Sequence, residues 1–354
     1  MMNVLDTLKA LNSCFGPSGC EAEIREKIAE LAKPFADEIR TDVMGNLIAV
    51  KYAKASKKKT GKTKAGDNIE HDAKADAPRL MYAAHMDSIG LIVTYIEECG
   101  LLRFGAVGGV NPVNLKATPV RFANGTVGTV DCDGDAAKTE IDKMFIDIGA
   151  SSREEAEKLV QKGDMAVYDT PIRALGKDCV VSPYVDNRAG VAAQLIAMEE
   201  LKKPVYDCYF VFTVQEEVGL RGAKPAAFGI DPQYGIVCDT TLTDDIPFTK
   251  HNGTSVVGGG ASIKVMDKSV ICHPEMVEAL RSIAKKRNIP YQTDVIKMGG
   301  TDGSEIRKSA GGVWTGGVSV GTRYIHSPQE VCSISDIEAA GKLMAAFAET
   351  PAEF

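Results

Sequence analysis

The chain has 354 residues, 44% of them apolar, which is enough for about two domains with a sizeable core. Lys and Arg number 41 and Asp and Glu 48, and the formal net charge of −7 argues against a general nucleic-acid binder. No segment of the sequence has the roughly 20 consecutive apolar residues that span a membrane. We therefore expect a globular protein whose partners are neither nucleic acids nor membranes.

The cysteine pattern indicates a reducing compartment. The nine cysteines form no C-x-x-C pair, and an odd number scattered along a long chain is a poor disulfide framework. The first residues, 1–11, lack the continuous apolar stretch of a signal peptide. A cytoplasmic location is therefore predicted.

Amphipathic patterns predict helices over residues 3–11 and 21–33, and apolar runs predict strands over 46–52 and 79–84. Between these two strands, residues 53–78 contain a run of three lysines, several acidic residues and almost no large apolar side chain. One interpretation is a basic patch for an anionic partner, but the acidic residues that follow nearly cancel its charge. We therefore predict a flexible surface loop over 53–78, whose role the sequence does not define.

Residues 89–177 follow a different pattern, in which short apolar runs alternate with Gly, Asn and Asp turns and a single helix is predicted over 152–162. This pattern indicates an inserted, β-rich, barrel-like domain. From residue 178 onward strands and helices alternate, which is typical of an α/β layer with a mixed, mostly parallel sheet flanked by helices. The predicted fold is therefore α/β, with a discontinuous catalytic domain of residues 1–88 and 178–354 interrupted by the domain 89–177.

Two of the five histidines follow apolar strands, where open α/β sheets place their functional sites. His85 follows residues 80–84, and His326 comes shortly after residues 318–320. Each histidine alone would more often be a structural or capping residue than a functional one. In the segment His85-Met86-Asp87, however, the Asp87 carboxylate can accept the imidazole N–H that faces away from a metal, which raises the basicity of the ligand.

Three further segments place carboxylates next to a predicted helix or strand. Asp186 precedes a helix and alone would be interpreted as an ordinary N-cap. Glu216 and Glu217 end an apolar strand, where two adjacent carboxylates resist burial unless cations lie nearby. Asp239 follows the strand 235–238. The adjacent pair Glu216 and Glu217 suits metal-assisted hydrolysis, because one carboxylate can coordinate a metal while its neighbour acts as a base. The mixed nitrogen and oxygen ligands of the whole set suit zinc, cobalt or manganese.

Taken together, these motifs resemble the M42 family of metallo-aminopeptidases, the family of large tetrahedral assemblies, over nearly the whole chain. The matching segments are Ala84–Gly90, Tyr184–Arg188, Gln215–Gly219, Cys238–Thr240, Gly299–Asp302 and Thr322–Pro328. The related M20 deacylases and carboxypeptidases carry their extra domain between the third metal carboxylate and the final histidine. Here the larger insertion lies between His85 and Asp186, and this position favours the M42 family.

The resemblance implies an aminopeptidase that removes the N-terminal residue from short peptides with a free N-terminus. It also implies two divalent metal ions per chain, zinc or cobalt first and manganese as a further candidate. Asp186 would bridge the two ions. His85 and Asp239 would complete one site, and Glu217 and His326 the other.

By the same resemblance, Glu216 is the general base acting on a metal-bridging water, and Asp87 supports it within the catalytic machinery. Thr301, Asp302 and Arg323 are expected to contact the substrate. The inserted domain is expected to dimerise, with dimers assembling further into a dodecamer. The preferred N-terminal residue is not identified by the sequence, although Arg323 or Lys250 would favour an acidic side chain if either pointed into the pocket.

Two other classes of function are compatible with the same residues. A related dimetal amidohydrolase would cut N-acyl amino acids, and it would be recognised by cleaving N-acetylated substrates while ignoring unblocked peptides. A non-catalytic assembly or metal-binding module is the third class. It is disfavoured because the base, Glu216, stands beside a complete set of ligands.

Overall fold

The computed structural model describes residues 2–53, 77–135, 139–247 and 253–351. Residues 54–76 of the predicted surface loop 53–78 therefore lie outside the described residues, and so does Lys250. No helix within these ranges is both long and apolar enough to cross a membrane. All nine cysteines fall within the ranges and are free thiols.

The first two helices agree closely with the helices predicted over residues 3–11 and 21–33. Asn3 caps the start of α1, since its side chain accepts the backbone N–H of Asp6. The helix buries Val4, Leu8 and Leu11 on one face. The helices are α1 (Val4–Asn12), α2 (Ala22–Ala32), α3 (Arg153–Glu157), α4 (Val185–Glu200), α5 (Ala223–Ile230), α6 (Pro274–Arg287), α7 (Gly303–Arg307) and α8 (Ile334–Ala348).

The catalytic part of the chain is built on a twelve-stranded mixed sheet. Its strands are β1 (Glu38–Thr41), β2 (Leu47–Lys51), β3 (Arg79–His85), β10 (Arg173–Leu175), β11 (Cys179–Ser182), β12 (Asp207–Thr213), β13 (Tyr234–Val237), β14 (Thr240–Leu242), β15 (Ala261–Met266), β16 (Tyr291–Val295), β17 (Trp314–Arg323) and β18 (Glu330–Ser333). The order across the sheet is β1-β2-β12-β3-β13-β17-β18-β11-β10, and β14 and β15 also pair with β17.

The centre of the sheet is parallel. β12, β3, β13 and β17 run in the same direction, with Thr213 beside His85 and Val237 beside Ala83. The flanking strands β2 and β18 run antiparallel to this centre. The predicted α/β class, with helices on a mixed sheet, is confirmed. Apolar runs do not reveal strand direction, and the antiparallel flanks could not be recognised from them.

The inserted segment forms a closed six-stranded barrel with its own apolar core. α3 is shorter than the helix predicted over 152–162, since the chain turns after Glu157 and buries Val160 in the barrel core. β10 pairs with β11 in the large sheet, and the predicted boundary at 177 lies inside this hairpin. The barrel strands are β4 (Gly90–Ile96), β5 (Leu102–Val107), β6 (Pro119–Phe122), β7 (Val127–Cys132), β8 (Met144–Asp147) and β9 (Met165–Tyr168).

Helix α4 is buried on all sides from Val185 to Met198, which explains why its sequence has no polar face. α8 packs closely against it at Gly341, where a Cβ atom would lie 2.7 Å from the carbonyl oxygen of Ala193. Only glycine allows this approach. The packing fixes α4 within the core, and with it the segment at the start of the helix that contains Asp186.

Candidate metal centre

Four parallel strands deliver the predicted site residues to one edge of the sheet. His85 is the last residue of β3, Glu216 and Glu217 follow β12, and Asp239 follows β13. His326 comes three residues after the end of β17. Because the carboxyl ends of parallel strands meet at the same edge, segments far apart in sequence converge there.

Asp186 lies between the two histidines. Its Oδ1 atom is 3.1 Å from Nε2 of His85, and its Oδ2 atom is 3.5 Å from Nε2 of His326. The backbone of Asp186 is extended rather than helical, and the helical hydrogen bonds of α4 begin after Asn187, whose side chain caps the N–H of Gly190. Each oxygen of a single carboxylate thus faces a different histidine.

The predicted ligands fall into two groups that share Asp186. The donor atoms of His85, Asp186 and Asp239 lie within 4.8 Å of one another, and so do those of Asp186, Glu217 and His326. In the second group, Nε2 of His326 is 3.1 Å from Oε2 of Glu217. Each group offers one nitrogen and two oxygen donors, which suits a divalent metal ion.

The ring nitrogen of each histidine that faces away from this centre lies near a backbone carbonyl. Nδ1 of His85 is 3.1 Å from the carbonyl oxygen of Asp87 and 3.5 Å from its carboxylate, and Nδ1 of His326 is 3.0 Å from the carbonyl oxygen of Gly109. Gly109 belongs to the barrel segment, and a Cβ atom there would lie 2.5 Å from the same Nδ1. When Nδ1 donates to these carbonyls, each Nε2 presents its lone pair to the centre.

The Asp87 carboxylate contacts more than its histidine. It accepts hydrogen bonds from the backbone N–H groups of Glu216, at 3.0 Å, and Glu217, at 3.3 Å, and from the Ser18 hydroxyl at 2.6 Å. Asp87 is fully buried. It therefore orients the paired carboxylates as well as His85.

One further carboxylate was not among the predicted site residues. Glu330, the first residue of β18, accepts the backbone N–H of Asp186 at 2.8 Å and that of His326 at 2.7 Å. The only sequence signal is a carboxylate four residues after His326, at the start of an apolar strand. Spacing along the chain does not indicate its proximity to Asp186, which lies 144 residues away.

The centre holds more negative charge than its own cations balance. Burial raises the pKa values of Glu216, Glu217 and Asp239. Burial opposes the charged form of His326, but its hydrogen bonds with Asp186 and Glu217 prevail and raise the pKa to about 12. The buried Oε1 atom of Glu217 has no hydrogen-bond partner among the described residues. This excess of buried carboxylate, with an unpartnered oxygen, fits bound divalent cations.

The ligands and Glu216 line a cavity of about 500 Å³. Glu216 belongs to neither ligand group, although its Oε2 atom is 3.9 Å from Nε2 of His85. Of the predicted substrate contacts, Thr301 lines the cavity. Asp302 is buried and accepts the hydroxyl of Thr213, and Arg323 forms a two-pronged ion pair with Asp245 at 2.6 and 3.0 Å. The other lining residues include Leu220, Leu242, Ile296, Met298 and Ile325.

The sequence is similar to known peptidases along nearly its whole length. A family model described as M42 glutamyl aminopeptidase matches residues 68–343. A protein of Acetivibrio thermocellus is 46% identical over 97% of this chain and 97% of its own length. The lysyl aminopeptidase of Pyrococcus furiosus is 33% identical over 97% of this chain and 96% of its own length.

Solved structures show the same fold. An aminopeptidase from the archaeon Desulfurococcus kamchatkensis gives a TM-score of 0.88 at 36% identity, covering 99% of this chain and 95% of that one. The TET1 peptidase of Pyrococcus horikoshii, which can assemble into a tetrahedron or a large octahedral shell, gives 0.82 at 32% identity. That comparison covers 98% of this chain and 99% of that one.

Proposed function

Because this chain belongs to the M42 peptidase family and is an aminopeptidase, we propose that it removes the N-terminal residue of short peptides with the help of two divalent cations. One observation carries the two-cation part of the proposal. The two oxygens of Asp186 face two separate ligand groups, each with its own histidine and a second carboxylate. A carboxylate shared in this way is what a pair of closely spaced cations requires.

The proposed ligands are those that the sequence predicts. His85 and Asp239 would hold one cation, Glu217 and His326 the other, and Asp186 would contribute one oxygen to each. Nitrogen and carboxylate donors without a thiolate suit zinc or cobalt, with manganese as the third candidate.

When bound, two such cations polarise a peptide carbonyl and make an attacking water more acidic. Glu216 then accepts the proton of that water and passes it to the amine that leaves. Its position supports this role, because it lines the cavity beside His85 yet stands outside both ligand groups. Burial also raises the pKa of Glu216, which makes its carboxylate a stronger base.

The cavity has an acidic side and an apolar side. The similarity to named aminopeptidases supports exopeptidase rather than endopeptidase specificity. The first side chain of the substrate would then face Leu242, Ile296 and Met298. We therefore expect apolar N-terminal residues to be preferred, since Arg323, which would have favoured acidic ones, is occupied by Asp245.

The second candidate function is a dimetal deacylase of N-acyl amino acids. Its support is the same set of ligands, because hydrolysis of a peptide and of an acyl amide needs the same base and cations. The similarity to named aminopeptidases favours the aminopeptidase over the deacylase.

We also propose that the chain forms homo-oligomers in which dimers assemble to a dodecamer. The support is the similarity to the TET1 peptidase, which can form a tetrahedron. A cytoplasmic location remains our proposal, supported by nine cysteines that are all free thiols.

A panel of p-nitroanilides tests the proposed activity. Leucyl, methionyl, glutamyl and lysyl substrates are assayed with zinc, cobalt and manganese separately, beside N-acetyl-leucyl p-nitroanilide. We expect cleavage of unblocked substrates and none of the acetylated one. Cleavage of the acetylated substrate alone would replace the aminopeptidase with the deacylase.

A further inference from the structure

The single buried carboxylate of Glu330 connects two of the proposed ligands, Asp186 and His326, which come from different elements of the fold. Oε2 of Glu330 accepts the backbone N–H of Asp186 at 2.8 Å, and Oε1 accepts that of His326 at 2.7 Å. Glu330 is only 2% exposed. Both of its oxygens therefore bind the main chain of proposed metal ligands.

The sheet topology explains how one side chain reaches both residues. β18 lies between β11 and β17, and both neighbours run antiparallel to it. Glu330, at the start of β18, is paired with Ser182 at the end of β11, and Asp186 follows shortly after. On the other side, β17 ends at Arg323, next to Val331, and leads to His326. Glu330, the first residue of β18, thus lies beside the carboxyl ends of both β11 and β17.

The backbone of His326 needs such support. Its φ angle is +63°, in the left-handed region, and Tyr324 nearby has a φ of +61°. This region is uncommon for residues other than glycine, and a hydrogen bond from the main chain helps to hold it. The hydrogen bond to Glu330 fixes the direction of the His326 N–H and therefore the position from which its side chain extends.

Burying a carboxylate is unfavourable unless hydrogen bonds or charges compensate for it, so its place under the metal centre requires an explanation. We propose that Glu330 is a positioning residue that sets the separation between Asp186 and His326, and thereby the affinity of the subsite formed by Asp186, Glu217 and His326. This inference rests on the proposed two-cation function. Glu330 touches neither substrate nor cation in this role and acts through the two ligands.

The chain contains a matched control for this arrangement. Asp336, also fully buried, accepts the backbone N–H groups of Gly258 and Gly260, both at 2.7 Å, through its two oxygens. Those glycines are not proposed ligands. In both Glu330→Gln and Asp336→Asn, an amide NH₂ replaces one acceptor oxygen and leaves one backbone N–H facing a donor. The two variants therefore carry the same local defect at different places.

The experiment is a calorimetric titration of Zn²⁺ alone into chelator-treated protein, with the melting temperature measured on the same samples. Wild type should bind two ions. In Glu330→Gln one of the two sites should lose about tenfold to a hundredfold in affinity, as is usual when a residue that orients a metal ligand is changed. Asp336→Asn should melt earlier than wild type yet keep both affinities.

Two results would overturn the inference: wild-type affinities in Glu330→Gln, or an equal loss in Asp336→Asn, which would indicate general destabilisation. If Glu330→Gln does not fold, Glu330→Asp replaces it, since it keeps the charge but is too short to reach both N–H groups, and wild-type affinities in that variant count equally against the inference. A wild-type protein that binds fewer than two ions would instead refute the two-cation function, and this inference with it.

Discussion

The Oε2 atom of Glu216 lies 3.9 Å from the Nε2 atom of His85. Nevertheless, Glu216 belongs to neither ligand group of the described structure. Its neighbour in sequence, Glu217, belongs to one of those groups. Two adjacent glutamates at the end of one strand therefore have separate environments, and their substitution should have separate consequences.

Glu216→Gln should reduce kcat by about 10²–10⁴-fold, because an amide cannot accept the proton of the attacking water. Metal content should stay at the wild-type value. Steady-state kinetics on the best p-nitroanilide, with metal analysis of the same protein, measures both. Glu217→Gln is the comparison variant and should lose metal as well as activity. A Glu216→Gln enzyme with near-normal kcat would remove this residue from the role of base.

Metal removal should destabilise the fold as well as abolish activity. Without cations the buried carboxylates of the centre repel one another, and cations that bind only the folded state stabilise it. At a free Zn²⁺ concentration 100 times the dissociation constant of a site, the gain is about 2.7 kcal/mol for that site. Scanning calorimetry of chelated and reloaded protein checks this. Identical melting temperatures under saturating Zn²⁺ and in chelator would contradict it.

The apolar side of the cavity predicts the order of substrates. Leucyl and methionyl p-nitroanilides should exceed glutamyl and lysyl ones by about tenfold or more in kcat/KM, because a charged side chain would lose water against Leu242, Ile296 and Met298. Met298→Lys should shift the ratio toward the glutamyl substrate. Ile271→Lys, another exposed apolar residue but one outside the cavity lining, is the control and should leave the ratio unchanged. A glutamyl preference in the wild type would refute the prediction.

The pair formed by Asp245 and Arg323 should make stability depend on pH in acid. Burial opposes the charged form of Asp245, but the hydrogen bonds from Arg323 and from the Val257 N–H prevail and lower its pKa from 3.8 to about 2. Because the folded pKa is the lower one, the stabilisation is present above about pH 4 and is lost as the pH falls through about 2.

Asp245→Asn should therefore lower the free energy of unfolding by about 1 kcal/mol near neutral pH, since the pair is partly screened by solvent. The difference from wild type should shrink between about pH 4 and pH 2. Denaturant unfolding of both proteins at a series of pH values measures it. A difference that stays constant down to the lowest pH would show that the ion pair is not its source.

The sequence was sufficient to predict that residues in a common local pattern converge at one edge of the sheet. A histidine or carboxylate directly after an apolar strand, as in His85, Glu217 and Asp239, can be predicted because parallel strands bring such positions together. The α/β class and the inserted barrel followed from the change of periodicity near residues 89 and 178.

The contacts that depend on strand neighbours could not be predicted in this way. Glu330 reaches Asp186 only because β18 lies between β11 and β17, and no spacing along the chain expresses that order. Arg323 lies three residues before His326 in the sequence, but its guanidinium forms an ion pair with Asp245. In both cases a tertiary partner from a distant segment determines what the side chain does.

The carbonyl oxygen of Gly109, which lies 3.0 Å from Nδ1 of His326, comes from the barrel segment. The barrel is therefore part of the candidate site, because its β5–β6 connection completes the surroundings of a residue in the other domain. Deleting the module would remove the contact between Gly109 and Nδ1 of His326 and leave Asp186 and Glu217 to orient the ring. Any motion of the barrel would likewise reach the candidate metal centre through this connection, where Gly109 lies against His326 and Gly108 against Glu217.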